Sequence, residues 1–107
     1  MAKNAPFQVD SNGNIINNSG NTITSILNVT INTSTYAAVT MPTGVFCKAL
    51  IMQTRDGSPY LIATSSSPTT YMTISSPLAI SIVGIPSQVL CYVKATVEGV
   101  LEVILLD

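Results

Sequence analysis

The sequence predicts an all-β fold: a single β-sandwich or jelly-roll-like domain of about eight strands, preceded by an extended Asn-rich arm. Val, Ile, Thr and Tyr, which favour strands, dominate the chain after residue 21. Turn residues recur there roughly every eight to twelve positions, a spacing typical of sandwiches and jelly rolls. No stretch combines a 3.6-residue apolar period with a helix-capping signature.

The length of 107 residues fits one domain, divided into an arm over residues 1–21 and a β-sandwich over residues 22–107. The arm is rich in Asn, and Asn12-Gly13 is typical of a tight hairpin turn. Its apolar content is too low to offset the entropy of ordering. We therefore expect contact with neighbouring subunits or an underlying surface to order it. The candidate partner-binding residues are Phe7, Val9, Ile15 and Ile16.

The strands of the sandwich are predicted over residues 27–31, 36–40, 45–54, 60–64, 70–74, 78–83, 89–94 and 100–106. The nearly continuous apolar run over 45–54 predicts a central strand that is buried on both faces. The run over 100–106 is also apolar on both faces, so it belongs in a sheet centre or beneath a partner; left bare, it would aggregate. In the strand over 89–94, alternation places Val89, Cys91 and Val93 on one face.

Charged residues make up only 8% of the chain, against about 25% in typical domains. So few charges favour a homo-oligomer whose faces are covered by neighbours. The net charge of -1 and the scattered basic residues argue against nucleic-acid binding. No apolar run reaches the roughly 18 residues of a membrane-spanning helix. The N-terminus lacks the apolar core of a signal peptide, which predicts synthesis in the cytoplasm.

The inventory of reactive side chains predicts that the chain is not an enzyme and has neither a cofactor nor a metal. It contains no His, the commonest general base and metal ligand. Glu98 and Glu102 are a conceivable carboxylate pair for glycoside hydrolysis, but two solvated surface charges are the favoured interpretation. Cys47 and Cys91 lie in apolar runs and are expected as buried, reduced thiols, with a disulfide between neighbouring strands as the alternative.

The tyrosines have two interpretations. As a cluster on one face, with Asn and Asp nearby, they would form a platform on which sugar rings stack. In the absence of Trp, tyrosines at the edge of the core are the favoured interpretation. The tyrosines are Tyr36, Tyr60, Tyr71 and Tyr92.

The order of several short segments resembles a known family. The chain has a strand and a Pro-Thr-Gly turn over residues 30–44, followed by four segments: Ile51-Met52-Gln53-Thr54-Arg55-Asp56-Gly57, Tyr71-Met72-Thr73-Ile74, Leu90-Cys91-Tyr92-Val93 and Val100-Leu101-Glu102-Val103. This order, over about residues 29–105, resembles the small β-sandwich decoration or cement proteins of tailed-phage capsids. The arm lies outside the resemblance, and the chain ends on Leu105-Leu106-Asp107 where an aromatic residue is expected.

The resemblance implies a structural protein of the virion that binds the outer surface of the assembled head and stabilises it. The implied partner is the major capsid protein or another virion protein, and the implied oligomer is a homotrimer. No catalytic residues are carried over. The alternative function is a carbohydrate-binding or adhesin module of a tail fibre or another surface appendage.

Overall fold

The chain forms two four-stranded antiparallel sheets that share one core. A computed structural model describes residues 7–9, 15–17, 22–75 and 77–107. Its strands are β1 (Phe7–Val9), β2 (Ile15–Asn17), β3 (Ile23–Ile31), β4 (Ala37–Thr40), β5 (Cys47–Thr54), β6 (Tyr60–Ala63), β7 (Met72–Ile74), β8 (Leu78–Gly84), β9 (Val89–Ala95) and β10 (Gly99–Leu106). The described residues contain no helix, so none of their segments is a helix that could span a membrane. The all-β prediction is confirmed.

The strand order identifies the sandwich as a jelly roll. The first sheet has the order β3-β10-β5-β8, and the second has the order β4-β9-β6-β7. Adjacent antiparallel pairs are therefore nested along the chain: β3 with β10, β4 with β9, β5 with β8, and β6 with β7. Such nesting arises when one long hairpin is wound into two sheets, which gives the eight strands and two Greek keys of a jelly roll.

The core consists of alternate residues from both sheets. The first sheet contributes Leu101, Val103 and Leu105, each 0% exposed. The second contributes Val39 and Val93, also 0% exposed. Since successive side chains of a strand point to opposite faces, one row of each strand fills the space between the sheets and the other row faces outward. The apolar run over 100–106 forms the central strand β10, as predicted.

The prediction that residues 45–54 are buried on both faces is wrong. β5 lies between β10 and β8, but only its inward residues, such as Leu50 and Met52, are fully buried. Lys48, Ile51 and Gln53 are exposed. In a sandwich of two sheets each sheet has one covered face, so the outward residues of this run belong to an outer surface rather than to a second core.

The predicted alternation in β9 is broken by a bulge. Val39 lies opposite Cys91, but the next residue, Thr40, lies opposite Val89. Leu90 is therefore the extra residue, and it packs against the core while Val89 is 39% exposed. An extra residue reverses the facing of every side chain beyond it. The expected grouping of Val89 with Cys91 and Val93 is wrong for this reason.

The arm contains a two-stranded antiparallel ribbon. Phe7 pairs with Asn17, and Val9 pairs with Ile15. This pairing agrees with the hairpin signal of the sequence, although Asn12-Gly13 itself lies outside the described residues. The sandwich closes where the arm joins it: the Thr22 amide donates to the Asp107 carbonyl at 3.2 Å, and the Asp107 amide donates to the Thr22 carbonyl at 2.8 Å.

Gly84 provides a test of core packing. A Cβ atom at this position would lie 2.7 Å from the Cys47 sulfur and 2.9 Å from the Met41 sulfur, and both side chains are buried. We expect Gly84→Ala to lower the free energy of unfolding by about 1–3 kcal/mol, the usual cost of overpacking. Urea unfolding followed by circular dichroism measures the effect.

Gly99→Ala is the matched control, since the nearest atom to its added Cβ lies 3.9 Å away. We expect this change to be neutral or mildly stabilising. Equal stabilities of the two variants would contradict the packing around Gly84.

Candidate protein-binding face

The outer face of the first sheet carries an apolar row that crosses all four strands. Ile104 of β10 lies between Ile26 of β3 and Ile51 of β5, and Ala79 of β8 continues the row. Ile26 is 60% exposed and Ile51 is 37% exposed. The β-branched side chains suit a pleated sheet, which explains why they form strands here although neither four-stranded sheet covers this face. We call this outer surface of the first sheet the isoleucine face.

A parallel row of the isoleucine face is polar and internally paired. The Arg55 Nε donates to Glu102 at 2.9 Å, and the Gln53 amide donates to the other carboxylate oxygen at 3.2 Å. A second Arg55 nitrogen donates to the Asn28 side-chain oxygen at 3.2 Å. These contacts hold the pKa of Glu102 below its ordinary value, chiefly through the Arg55 hydrogen bond. The Glu102 carboxylate therefore stays ionised down to a pH below the ordinary pKa of glutamate. Its salt bridge with Arg55 is lost only when acid protonates the carboxylate.

The two rows border a shallow depression of about 300 Å³ lined by Ile26, Asn28, Ile51, Gln53, Glu102 and Ile104. One side of the depression is apolar, and the other carries a salt bridge whose charges cancel. Such a mixture is typical of the centre of a protein interface, where apolar anchors lie beside a few hydrogen-bonding groups.

Further exposed apolar side chains lie toward the end of the sheet where the arm joins. Ile23 is 56% exposed, Phe46 is 55% exposed and Val83 is 73% exposed. The Thr24 hydroxyl donates to the Phe46 carbonyl at 3.2 Å, which brings the first two segments together. Single exposed apolar residues are ordinary, whereas large contiguous apolar patches are typical of surfaces that contact another molecule.

The two carboxylates considered for catalysis lie in different surroundings. Glu102 is bonded to Arg55 and Gln53, while Glu98 is exposed in the turn between β9 and β10. Asp56 acts as a turn cap, because its side chain accepts the Ser58 amide at 2.9 Å. Gly57 completes that turn with a φ of 82°, a conformation that favours glycine. Within the described residues, no group of three His, Cys, Asp or Glu side chains comes close enough to hold a metal ion.

The four tyrosines differ in exposure: Tyr60 is buried, Tyr36 and Tyr92 are half-buried, as expected at the edge of a core, and Tyr71 is exposed. Only Tyr60 is fully buried, and its hydroxyl donates to the Met52 carbonyl at 3.3 Å. Tyr92 lies between Ala38 and Ala63 in the second sheet, and Tyr71 is 60% exposed. The Lys94 ammonium lies 5.2 Å from the centre of the Tyr36 ring, within range of a cation–π interaction.

The candidate arm residues lie in the ribbon: Phe7 and Val9 in β1, and Ile15 and Ile16 in β2. The isoleucine face was not predicted as a site, although the sequence contains two apolar runs that indicate it. The run over 45–54 contains Ile51, and the run over 100–106 contains Ile104. Both runs are apolar at most positions, with Lys48, Gln53, Thr54 and Glu102 as the exceptions, and in a two-layer fold every second residue of such a run faces outward.

The comparisons with known proteins give no relative. No family model matches this chain, and neither a curated protein nor a solved structure matches it. Functional inference therefore depends on the geometry of the chain itself.

Both cysteines are free thiols in the structure; Cys47 is buried as expected, whereas Cys91 is only half-buried. Burial raises the pKa of each. The pKa of Cys91 is raised to about 11, and that of Cys47 is raised from its ordinary value. The neutral thiol is a poor nucleophile. Near neutral pH we expect alkylation of Cys91 in the folded protein to be about 100-fold slower than in urea, since two pKa units reduce the thiolate about 100-fold.

Mass spectrometry of protein quenched at intervals measures the rates of both sites. Ser81→Cys, at an exposed position of β8, provides a reactive control in the same fold. Labelling of Cys91 as fast as that of the introduced cysteine would contradict its burial. An intact mass lower by two protons would instead reveal a disulfide.

Proposed function

We propose that this chain is a structural binding protein that docks through its isoleucine face on an assembled protein lattice. In line with the resemblance of its sequence segments, the proposed lattice is the head of a tailed phage, which the chain would decorate and stabilise. The apolar row across all four strands, with its neighbouring salt bridge, is the observation that carries the proposal. Its partner is then the major capsid protein or another virion protein.

The jelly-roll fold is compatible with this role but does not select it. Viral capsid domains, lectins and cupins all use the fold, so function must be argued from the surface. The isoleucine face supports a protein partner because its apolar row is aliphatic and the two charges of the neighbouring polar row, Arg55 and Glu102, are paired with each other. An aliphatic row gains free energy when another apolar surface removes it from water.

The mechanism is mass action. A protein that binds the assembled shell and not its free subunits stabilises the shell by RT ln(1 + [L]/Kd), about 3–4 kcal/mol per site at concentrations several hundred to a thousand times Kd. A shell repeats the same site many times, so the contributions accumulate over the particle. The chain needs neither catalysis nor conformational energy for this effect.

Carbohydrate binding is the second candidate, and the tyrosines of the second sheet favour it. Tyr71 borders a cavity of about 240 Å³ together with Thr64 and Thr70. An aromatic ring beside hydroxyl groups is suited to stacking and hydrogen bonding with a sugar. The residues that line this cavity include no Asn or Asp, so the amide and carboxylate groups expected of such a site are missing there.

A charge in the apolar row tests the protein-binding proposal. We expect Ile51→Lys to weaken binding to assembled heads about 10–30-fold, because truncating or desolvating a central anchor costs about 1.4–2 kcal/mol. Thr73→Lys is the matched control, an exposed strand position in the second sheet. Co-sedimentation with empty, expanded heads of the phage that encodes the chain measures both affinities. If the two variants bind as tightly as the unsubstituted chain, the isoleucine face is not the docking surface.

The arm gives a separate prediction. Deleting residues 2–21 should leave the sandwich folded with a melting temperature within a few degrees, since Thr22 and Asp107 retain their mutual hydrogen bonds. Binding to the heads should weaken, because the deletion removes the arm's apolar anchors. A full-length variant with Ser at Phe7, Val9, Ile15 and Ile16 is the control, and it should show a similar loss. Unfolding of the deletion variant would mean that the arm belongs to the domain core.

A further inference from the structure

The four edge strands of the sandwich differ in how well they are protected against pairing. Protected edges are short, bulged, charged or interrupted by proline. In the second sheet, the edges β4 and β7 contain four and three residues. In the first sheet, β8 is flanked by Pro77 and Pro86 and has two residues, Ile82 and Val83, opposite the single Lys48. β3 is the remaining edge.

Within the described part of the chain, β3 has none of these four protections along most of its length. It contains nine residues with no charge, proline or glycine. From Ser25 to Ile31 it pairs with β10 in unbroken register, and the only irregularity lies near its start, between Leu105 and Leu106 of β10. The outer side of this regular strand therefore presents a row of backbone donors and acceptors in the geometry that another strand requires.

The core is also open along this edge. Leu27 and Val29 point inward, yet both are only half-buried. Their cross-strand neighbours on β10, Val103 and Leu101, are 0% exposed. A strand added beside β3 would cover these two side chains as well as pairing the backbone.

We propose that β3 pairs antiparallel with β3 of a second copy, about a two-fold axis at Asn28. Asn28 is the centre of the regular run from Ser25 to Ile31. In this register Asn28 lies opposite Asn28 of the second copy, and Leu27 lies opposite Val29 of the second copy. The apolar inward residues thus meet each other, while the two Asn side chains meet on the outer face and can exchange amide hydrogen bonds.

The composition of β3 fits a copy of itself. A two-fold axis places residues near the centre of the strand against their own counterparts, so a charge there would face the same charge. β3 has no charged residue, and the central Asn side chain both donates and accepts. The bulge and the prolines of β8 disfavour pairing between β3 and β8, which would otherwise extend into an open fibre.

The importance of the β3 dimer rests on the proposed function, because two joined copies present a larger docking surface than one copy. Four strands spaced about 4.8 Å apart and about eight residues long present a face of roughly 500 Å². A standard interface buries about 800 Å² per partner, so the face of one copy is smaller than a standard interface. The two-fold axis is perpendicular to the sheet and keeps both isoleucine faces on the same side. Together they form an eight-stranded face of roughly 1,000 Å².

A cysteine at the axis tests the register. Asn28→Cys should form a covalent dimer on mild oxidation, since directly opposed residues have Cα atoms about 4.5–5.5 Å apart, within the range of a disulfide. Thr30→Cys is the control, an exposed outward position on the same strand. Its counterpart in the second copy would be four residues out of register, about 14 Å away. We expect the dimer from Asn28→Cys to form at least tenfold faster.

A charge at the axis tests the pair without oxidation. Asn28→Lys should raise the dimer dissociation constant at least tenfold in sedimentation equilibrium, whereas Ser81→Lys on the β8 edge should leave it unchanged. Circular dichroism confirms that each variant is folded. A monomer at 100 micromolar, equal crosslinking at positions 28 and 30, or a trimer unaffected by Asn28→Lys would each overturn the pairing.

These outcomes are separable from those of the proposed function. Dimerisation through β3 without binding to heads would reject the docking proposal and leave the pairing intact. Binding to heads by a chain that stays monomeric would reject the pairing and leave the docking proposal intact.

Discussion

Most of the structure depends on the position of β10 at the centre of the first sheet. It pairs with β3 on one side and β5 on the other, and its inward row of Leu101, Val103 and Leu105 is completely buried. This strand ends the domain, and its partner β3 begins it. The first sheet therefore closes only after the whole domain has been synthesised. Pairing between such distant segments carries a large loop-closure cost, so we expect slow folding compared with a helical domain of this size.

The sequence was sufficient to predict the fold class and most strands, because residue type and turn spacing act locally. The turn at Pro42-Thr43-Gly44 and the turn at Gly57 could be predicted because glycine readily adopts a positive φ. Gly44 and Gly57 have φ values of 77° and 82°. The two-sided burial of residues 45–54 was a wrong prediction. Its apolar pattern is shared by a doubly covered strand and by a strand with an apolar outer face. Only the number of layers, a tertiary property, distinguishes them.

Only part of the candidate site could be predicted, because the site also depends on tertiary structure. The isoleucine row consists of Ile26, Ile104 and Ile51, which lie far apart in the chain and meet only through the register of three strands. The bulge at Leu90 could not be predicted either, since no glycine or proline marks it. The salt bridge between Arg55 and Glu102 depends on the same register. Local patterns identify strands, whereas register decides which side chains share a face.

The isoleucine face gives a physical reason for the low charge of the chain. Burying an isolated charge in an interface is costly, because the lost hydration must be replaced. Here Arg55 and Glu102 pair with each other, Gln53 adds a hydrogen bond to the carboxylate, and Asn28 accepts one from the guanidinium. The polar row is thus close to neutral by itself, which would lower the desolvation cost of the proposed docking. A partner that presents a matching apolar ridge gains free energy from the isoleucines. An apolar ridge placed across the polar row would bind weakly. It would remove water from the hydrogen-bonding groups of that row without offering them new partners.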